Sequence, residues 1–112
     1  MITKNIRFPK GDTKPFKVRI KMADGEYFSP NDKYDDLVFE VRATPSSKAV
    51  IKKQFTAGDI LFDEASKFFS FTIEAVESDG LCLEYIYWYR VKLYSKPTDT
   101  EISVVGGTLE VY

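Results

Sequence analysis

Cys82 is the single thiol in a 112-residue chain that contains no histidine. A thiol nucleophile would therefore lack an imidazole to deprotonate it, and a serine or threonine would need a lysine or carboxylate base instead. Nothing in the spacing sets such a pair side by side. One cysteine also rules out an internal disulfide, and a Cys/His metal site cannot be assembled. Between Leu81 and Leu83, Cys82 reads as a small core hydrophobe. Carboxylates cluster at Asp32, Asp35 and Asp36 and again at Asp59, Asp63 and Glu64. They are oxygen ligands of the kind calcium takes, but neither spacing matches an EF-hand loop. Aspartates of this sort are ordinary turn formers, and two acids of unknown separation do not define a glycosidase pair. Lys10-Gly11-Asp12 has the form of an integrin-type tripeptide and reads more simply as a bend before the next strand. The expectation is a protein that is not an enzyme, with no catalytic, cofactor-binding or metal-binding residues.

Binding surfaces are the better candidates. Residues 1–22 hold seven basic side chains and one acidic one, so the remaining 90 hold 9 basic and 16 acidic, and the molecule is dipolar. Lys17, Arg19 and Lys21 form a stripe on one parity of a strand. The sequence pI near 5.5 is far from the basic footprint of nucleic-acid binders, so no nucleic acid is expected. The stripe fits an acidic surface on a protein neighbour. Trp88 lies on the opposite parity from Tyr87, Tyr89, Val91 and Leu93, so it either faces out as an interface anchor or lies under a loop. Exposed tryptophan is favoured at binding hot spots, which makes Trp88 with Arg90 the leading interface pair.

The elements that position these residues follow from a period of two. Phe16, Val18, Ile20 and Met22 alternate with Lys17, Arg19 and Lys21. Leu37, Phe39, Val41 and Ala43 repeat the pattern, as do Phe69, Phe71 and Ile73. Residues 49–55 predict a shorter strand whose Lys52 and Lys53 suit a sheet edge, and residues 60–62 a brief one. Residues 83–94 predict a long central strand with Tyr87, Tyr89, Val91 and Leu93 inward. Residues 101–112 predict a last strand, bulged or bent at Gly106-Gly107, where φ > 0 or a close backbone approach is needed. A short helical turn is expected over residues 75–81, bridging strands of opposite sheets. Turn signals every 8 to 20 residues, roughly, suit an all-β sandwich. Residues 1–10 lack the apolar core of a signal peptide, and no stretch approaches the ~18 apolar residues of a spanning helix.

Several of these segments together resemble the immunoglobulin-like domains of tailed-phage structural proteins, including the N-terminal domain of baseplate upper proteins. The resemblance covers nearly the whole chain. It runs from Lys10-Gly11-Asp12-Thr13 into Phe16-x-Val18-x-Ile20 and then through Ala23-Asp24-Gly25 and Val38-Phe39-Glu40-Val41-Arg42. It continues in Tyr87-Trp88-Tyr89-x-Val91-x-Leu93 and closes on Gly106-Gly107-x-Leu109-x-Val111. Two departures are Tyr85, where the family has a glycine, and Arg90, where it has an acid. The resemblance implies a single immunoglobulin-like antiparallel β-sandwich domain over residues 1–112, of about seven or eight strands. It also implies a non-enzymatic virion or assembly protein that docks onto other phage structural proteins, in the tail or baseplate. The candidate docking residues are Trp88, Arg90, Lys17, Arg19 and Lys21, and a homo-oligomer is a further option. The expected location is the virion or the cytoplasm of the infected or lysogenic host cell, without membrane insertion. The alternative is an extracellular or cell-surface binding module, for carbohydrate for example, using exposed aromatics as stacking platforms.

Overall fold

The computed structural model describes residues 2–112. In chain order the strands are β1 (Ile2–Thr3), β2 (Ile6–Phe8), β3 (Lys14–Val18), β4 (Asp36–Arg42) and β5 (Ala49–Gln54). They continue with β6 (Leu61–Phe62) and β7 (Phe69–Ile73), then the one-turn helix α1 (Ala75–Asp79), and end with β8 (Tyr87–Ser95) and β9 (Thr100–Val111). The larger sheet has the order β1-β9-β8-β4-β5, with β2 also on β9; the smaller sheet has the order β3-β7-β6. Burial alternates along β7 and β8 as the period of two requires.

Register puts the apolar parities of both sheets face to face. Leu37, Phe39 and Val41 of β4 lie opposite Leu93, Val91 and Tyr89 of β8. In the other sheet Phe16 lies opposite Phe71 and Val18 opposite Phe69. Between the sheets the rings of Phe39 and Phe71 approach to 4.6 Å and those of Phe16 and Phe39 to 5.6 Å, while Phe16 and Phe71 meet at 5.2 Å within the smaller sheet and Phe39 and Tyr89 at 6.0 Å within the larger. A second cluster gathers Phe28, Phe55 and Phe62 around Phe69. The helix α1 carries the chain from the smaller sheet to the larger. Its buried Ser78 donates its hydroxyl to the Asp12 carbonyl at 2.8 Å, and Glu77 accepts from Lys53 on the edge strand β5 at 2.6 Å.

Four sequence expectations are corrected. The first concerns β8, which begins at Tyr87, not at residue 83. Residues 82–86 form an exposed loop in which Glu84 takes φ +60°. Cys82 is exposed there, not part of the core, because its N–H donates to the Tyr87 hydroxyl at 2.8 Å while Leu81 takes the buried place. Second, β3 ends at Val18. The Asp24-Gly25 turn then folds the chain back into a tight hairpin, with Phe28 N–H donating to the Ile20 carbonyl at 2.7 Å, and this buries both Ile20 and Phe28. Third, the sandwich is not antiparallel throughout, since β1 and β2 run parallel to β9. These two are one edge strand interrupted at Lys4-Asn5, which brings the count to eight. Fourth, the bulge in β9 falls at Val104, where pairing passes from Val91 with Val105 to Lys92 with Ser103.

Gly107 answers to the interruption in that edge. The Tyr89 hydroxyl donates to the Lys4 carbonyl at 2.7 Å, drawing Lys4 across the face of Gly107. A Cβ on Gly107 would lie 2.8 Å from the Lys4 carbonyl carbon and closer still to its oxygen. Replacing Gly107 with alanine forces these backbones apart, at a cost of about 1 to 3 kcal/mol. Urea denaturation should show that loss, and amide exchange of Ile6 to Phe8 should speed up more than that of β4.

Candidate functional site

The parity that sends Leu37, Phe39 and Val41 inward sends Glu40 and Arg42 to the outer face of the larger sheet. The same logic on β8 sends Trp88, Arg90 and Lys92 outward. Antiparallel pairing then sets Glu40 opposite Arg90 and Arg42 opposite Trp88. Glu40 is only 2% exposed although it lies on a solvent-side face, because three cationic side chains close over it. Arg42 binds it in fork geometry, with Nε to Oε1 and Nη2 to Oε2 both at 3.1 Å. Arg90 Nε donates to Oε1, and Lys92 Nζ lies 3.7 Å away. Lys92 and Arg90 also reach Glu101, at 2.7 and 3.5 Å. Three cations and two carboxylates leave this network with a net charge of +1. Arg42 extends it to the turn after β4 through the Ser47 carbonyl.

Burial alone pushes the Glu40 carboxyl up. The hydrogen bonds from Arg42 and Arg90, together with the charge of Lys92, more than offset that and lower it from 4.5 to about 2. Beside this scaffold a depression of about 440 Å³ is walled by Trp88, Arg42, Arg90, Pro45 and Ser103. Trp88 is 44% exposed, so of its two readings the outward one holds. Leu83, Tyr85 and Ile86 in the preceding loop are exposed as well, and Tyr85 is held by its hydroxyl on the Ala43 carbonyl at 3.0 Å.

The proposed docking residues do not form one site. Trp88 and Arg90 share the outer face of the larger sheet, whereas Lys17, Arg19 and Lys21 lie exposed on and just beyond β3 of the smaller one. Arg90 is committed to Glu40 and Glu101 and is not a free contact. Arg19 lies over the rings of Tyr27 and Phe68, at 3.9 and 4.7 Å. Sequence reasoning missed Glu40, Arg42 and Lys92. The signal was an acid on the outward parity of an otherwise apolar strand, but its partners come from a neighbouring strand whose register was not readable.

Within the acidic clusters, Asp36 and Asp63 each hold a loop through hydrogen bonds. Asp36 is a buried loop anchor, accepting from Leu37 N–H at 2.9 Å, Thr56 N–H at 3.0 Å and the Thr56 hydroxyl at 3.0 Å. Asp63 accepts from the Ser66 hydroxyl and Ala65 N–H, and these bonds lower its carboxyl below the usual range. Among the described residues no group of three metal-type ligands converges.

No family model matches the chain, and no curated protein matches it in sequence. Among solved structures it is similar to the NK cell receptor Nkp44, described as a triggering partner in natural cytotoxicity. That match has a TM-score of 0.57 and 14% identity and covers 100% of both chains. The fold is an immunoglobulin-like β-sandwich. One detail agrees with it and one departs from the antibody pattern. Tyr87 at the start of β8 accepts a hydrogen bond from the backbone five residues upstream, as the tyrosine corner of such domains does. Two residues later, where antibody domains place their second inter-sheet cysteine, this chain has the core ring of Tyr89.

The Glu40 cluster links stability to acidity. With the folded carboxyl near 2 and the unfolded one at 4.5, its contribution of up to about 3 kcal/mol is complete above the unfolded value. It is lost as pH falls from 4.5 toward about 2. Thermal melts across that window should show Tm falling with acid, and the slope should flatten in Glu40→Gln.

Proposed function

We propose that this domain is a non-enzymatic assembly protein that docks onto neighbouring proteins through the outer face of its larger sheet, with Trp88 as the anchor. The observation that carries the reading is Trp88 itself, a large indole 44% exposed on a strand whose neighbours are locked by the Glu40 ion cluster. A rigid aromatic anchor loses little freedom on binding, and tryptophan dominates interface hot spots. Leu83, Tyr85 and Ile86 supply further apolar area beside it. The virion tail or baseplate is the setting favoured by the motif resemblance, with other phage structural proteins as partners. Repetition in a ring or fibre would multiply a modest single-site affinity.

A second reading is supported by the depression next to Trp88, where an indole face adjoins the hydrogen-bonding groups of Arg42, Arg90 and Ser103. With both arginines engaged by the Glu40 cluster, the exposed indole would stack on a sugar ring and the Ser103 hydroxyl would hydrogen-bond to it, in a carbohydrate-binding module.

Trp88 is the only tryptophan, so its fluorescence reports on both readings. Under the assembly reading, proteins encoded by the genes flanking its own shift that emission and co-elute with the domain in size-exclusion chromatography with light scattering. Trp88→Ala then weakens binding by tenfold or more, a loss above about 1.4 kcal/mol, while Tm changes little. If a glycan panel shifts the emission and those proteins do not, the carbohydrate reading replaces it.

A further inference from the structure

A second surface is built differently from the Trp88 face. The smaller sheet ends at β3, which pairs with β7 on one side only. The free side of β3 borders a groove of about 520 Å³ that opens between the sheets, with β1 and β2 as its opposite wall. The groove floor is formed by the half-buried Phe16 and Val18, with the buried Phe39, Phe71, Tyr89 and Val91 lying behind them. Five cations border it, namely Lys4, Arg7, Lys14, Lys17 and Arg19, and no acidic residue does. Of the five, Arg7 alone has a carboxylate within salt-bridge distance among the described residues, Glu110 at 3.6 Å.

We infer that this groove receives an extended segment of a partner protein, in which apolar residues alternate with aspartate or glutamate, as an added strand on β3. Three features converge on this occupant. An unpaired strand edge offers main-chain donors and acceptors to an incoming strand. An apolar floor of half-buried Phe16 and Val18 accepts every second side chain, as the strand period demands. The basic rim accepts the acidic parity and repels other edges, since lysine on an edge blocks indiscriminate pairing. Pro15 removes one donor at the start of β3, so pairing is carried from Phe16 onward. The basic stripe of Lys17 and Arg19 thus acquires a role separate from Trp88.

The test uses the full chain and a short synthetic peptide alternating valine with glutamate, followed by fluorescence anisotropy and by amide NMR shifts. Binding is expected to move the amides of residues 16–19 and of β2, and to weaken as salt rises. The paired variant Lys17→Glu with Arg19→Glu lies on exposed positions; it gives up the Arg19 contacts with the Tyr27 and Phe68 rings and with them some Tm, but stays folded. It should lose the peptide by about tenfold or more and should gain a peptide alternating valine with lysine. Trp88→Ala should bind the acidic peptide as the wild type does, which separates this groove from the docking face. The inference is overturned if the lysine peptide binds wild type equally well or if the shifts appear on the β5 or β6 edges instead. It also fails if light scattering shows the chain self-associating as its concentration rises and the acidic peptide dissolves that oligomer, because the occupant would then be a second copy of this chain.

Discussion

Four rings hold the two sheets at their working distance. Phe16 and Phe71 come from the smaller sheet, Phe39 and Tyr89 from the larger, and they meet in tilted and stacked contacts between 4.6 and 6.0 Å. Antibody domains close the same space with a disulfide, an option this chain lacks with its one cysteine. Truncating a ring of this kind typically costs about 3 to 5 kcal/mol, a large share of the 5 to 15 kcal/mol, roughly, that holds a domain together. Because Phe39 and Tyr89 must point inward, Glu40, Trp88 and Arg90 must point outward. Because Phe16 must point inward, Lys17 borders the groove. The candidate surfaces are by-products of where the rings go.

Glu40 is best understood as a pin on the register of that arrangement. A carboxylate under three cations gains little over a well-packed apolar residue, because desolvation offsets most of the attraction. It gains a great deal over the alternatives, however. A slip of one residue between β4 and β8 would turn Glu40 into the aromatic core and leave Arg90 facing Phe39's side of the strand unpaired. The cluster therefore trades raw stability for a single pairing and fixes the Trp88 backbone in the process.

Much of this was legible in the chain itself. Period-two alternation identified the inward sets of β4, β7 and β8, and the paired lysines of β5 marked an edge strand, because those signals are local. What escaped was non-local or conformational. The parallel seating of β1 and β2 on β9 joins residues about a hundred positions apart and has no local signature. The loop at residues 82–86 continues the apolar pattern of a strand, yet the hydrogen bond from Cys82 to Tyr87 and the positive φ of Glu84 turn it out of the sheet. For the candidate site, Trp88's parity was readable, while Arg90's engagement with Glu40 needed a strand pairing that no single segment encodes. Gly106-Gly107 was readable only as a bulge or bend, because the backbone that comes close to Gly107, that of Lys4, belongs to the far end of the chain.

The parallel edge gives the domain a mechanical character. β2 and β9 run in the same direction side by side, from Ile6 beside Leu109 to Phe8 beside Val111. Tension applied between Ile2 and Tyr112 draws β2 toward its beginning and β9 toward its end. The two strands are then loaded in opposite senses along a common axis, and the hydrogen bonds between them carry the force together in shear instead of opening one after another like a zip. Tension along the chain would thus have to break these parallel hydrogen bonds together before β2 could slide past β9.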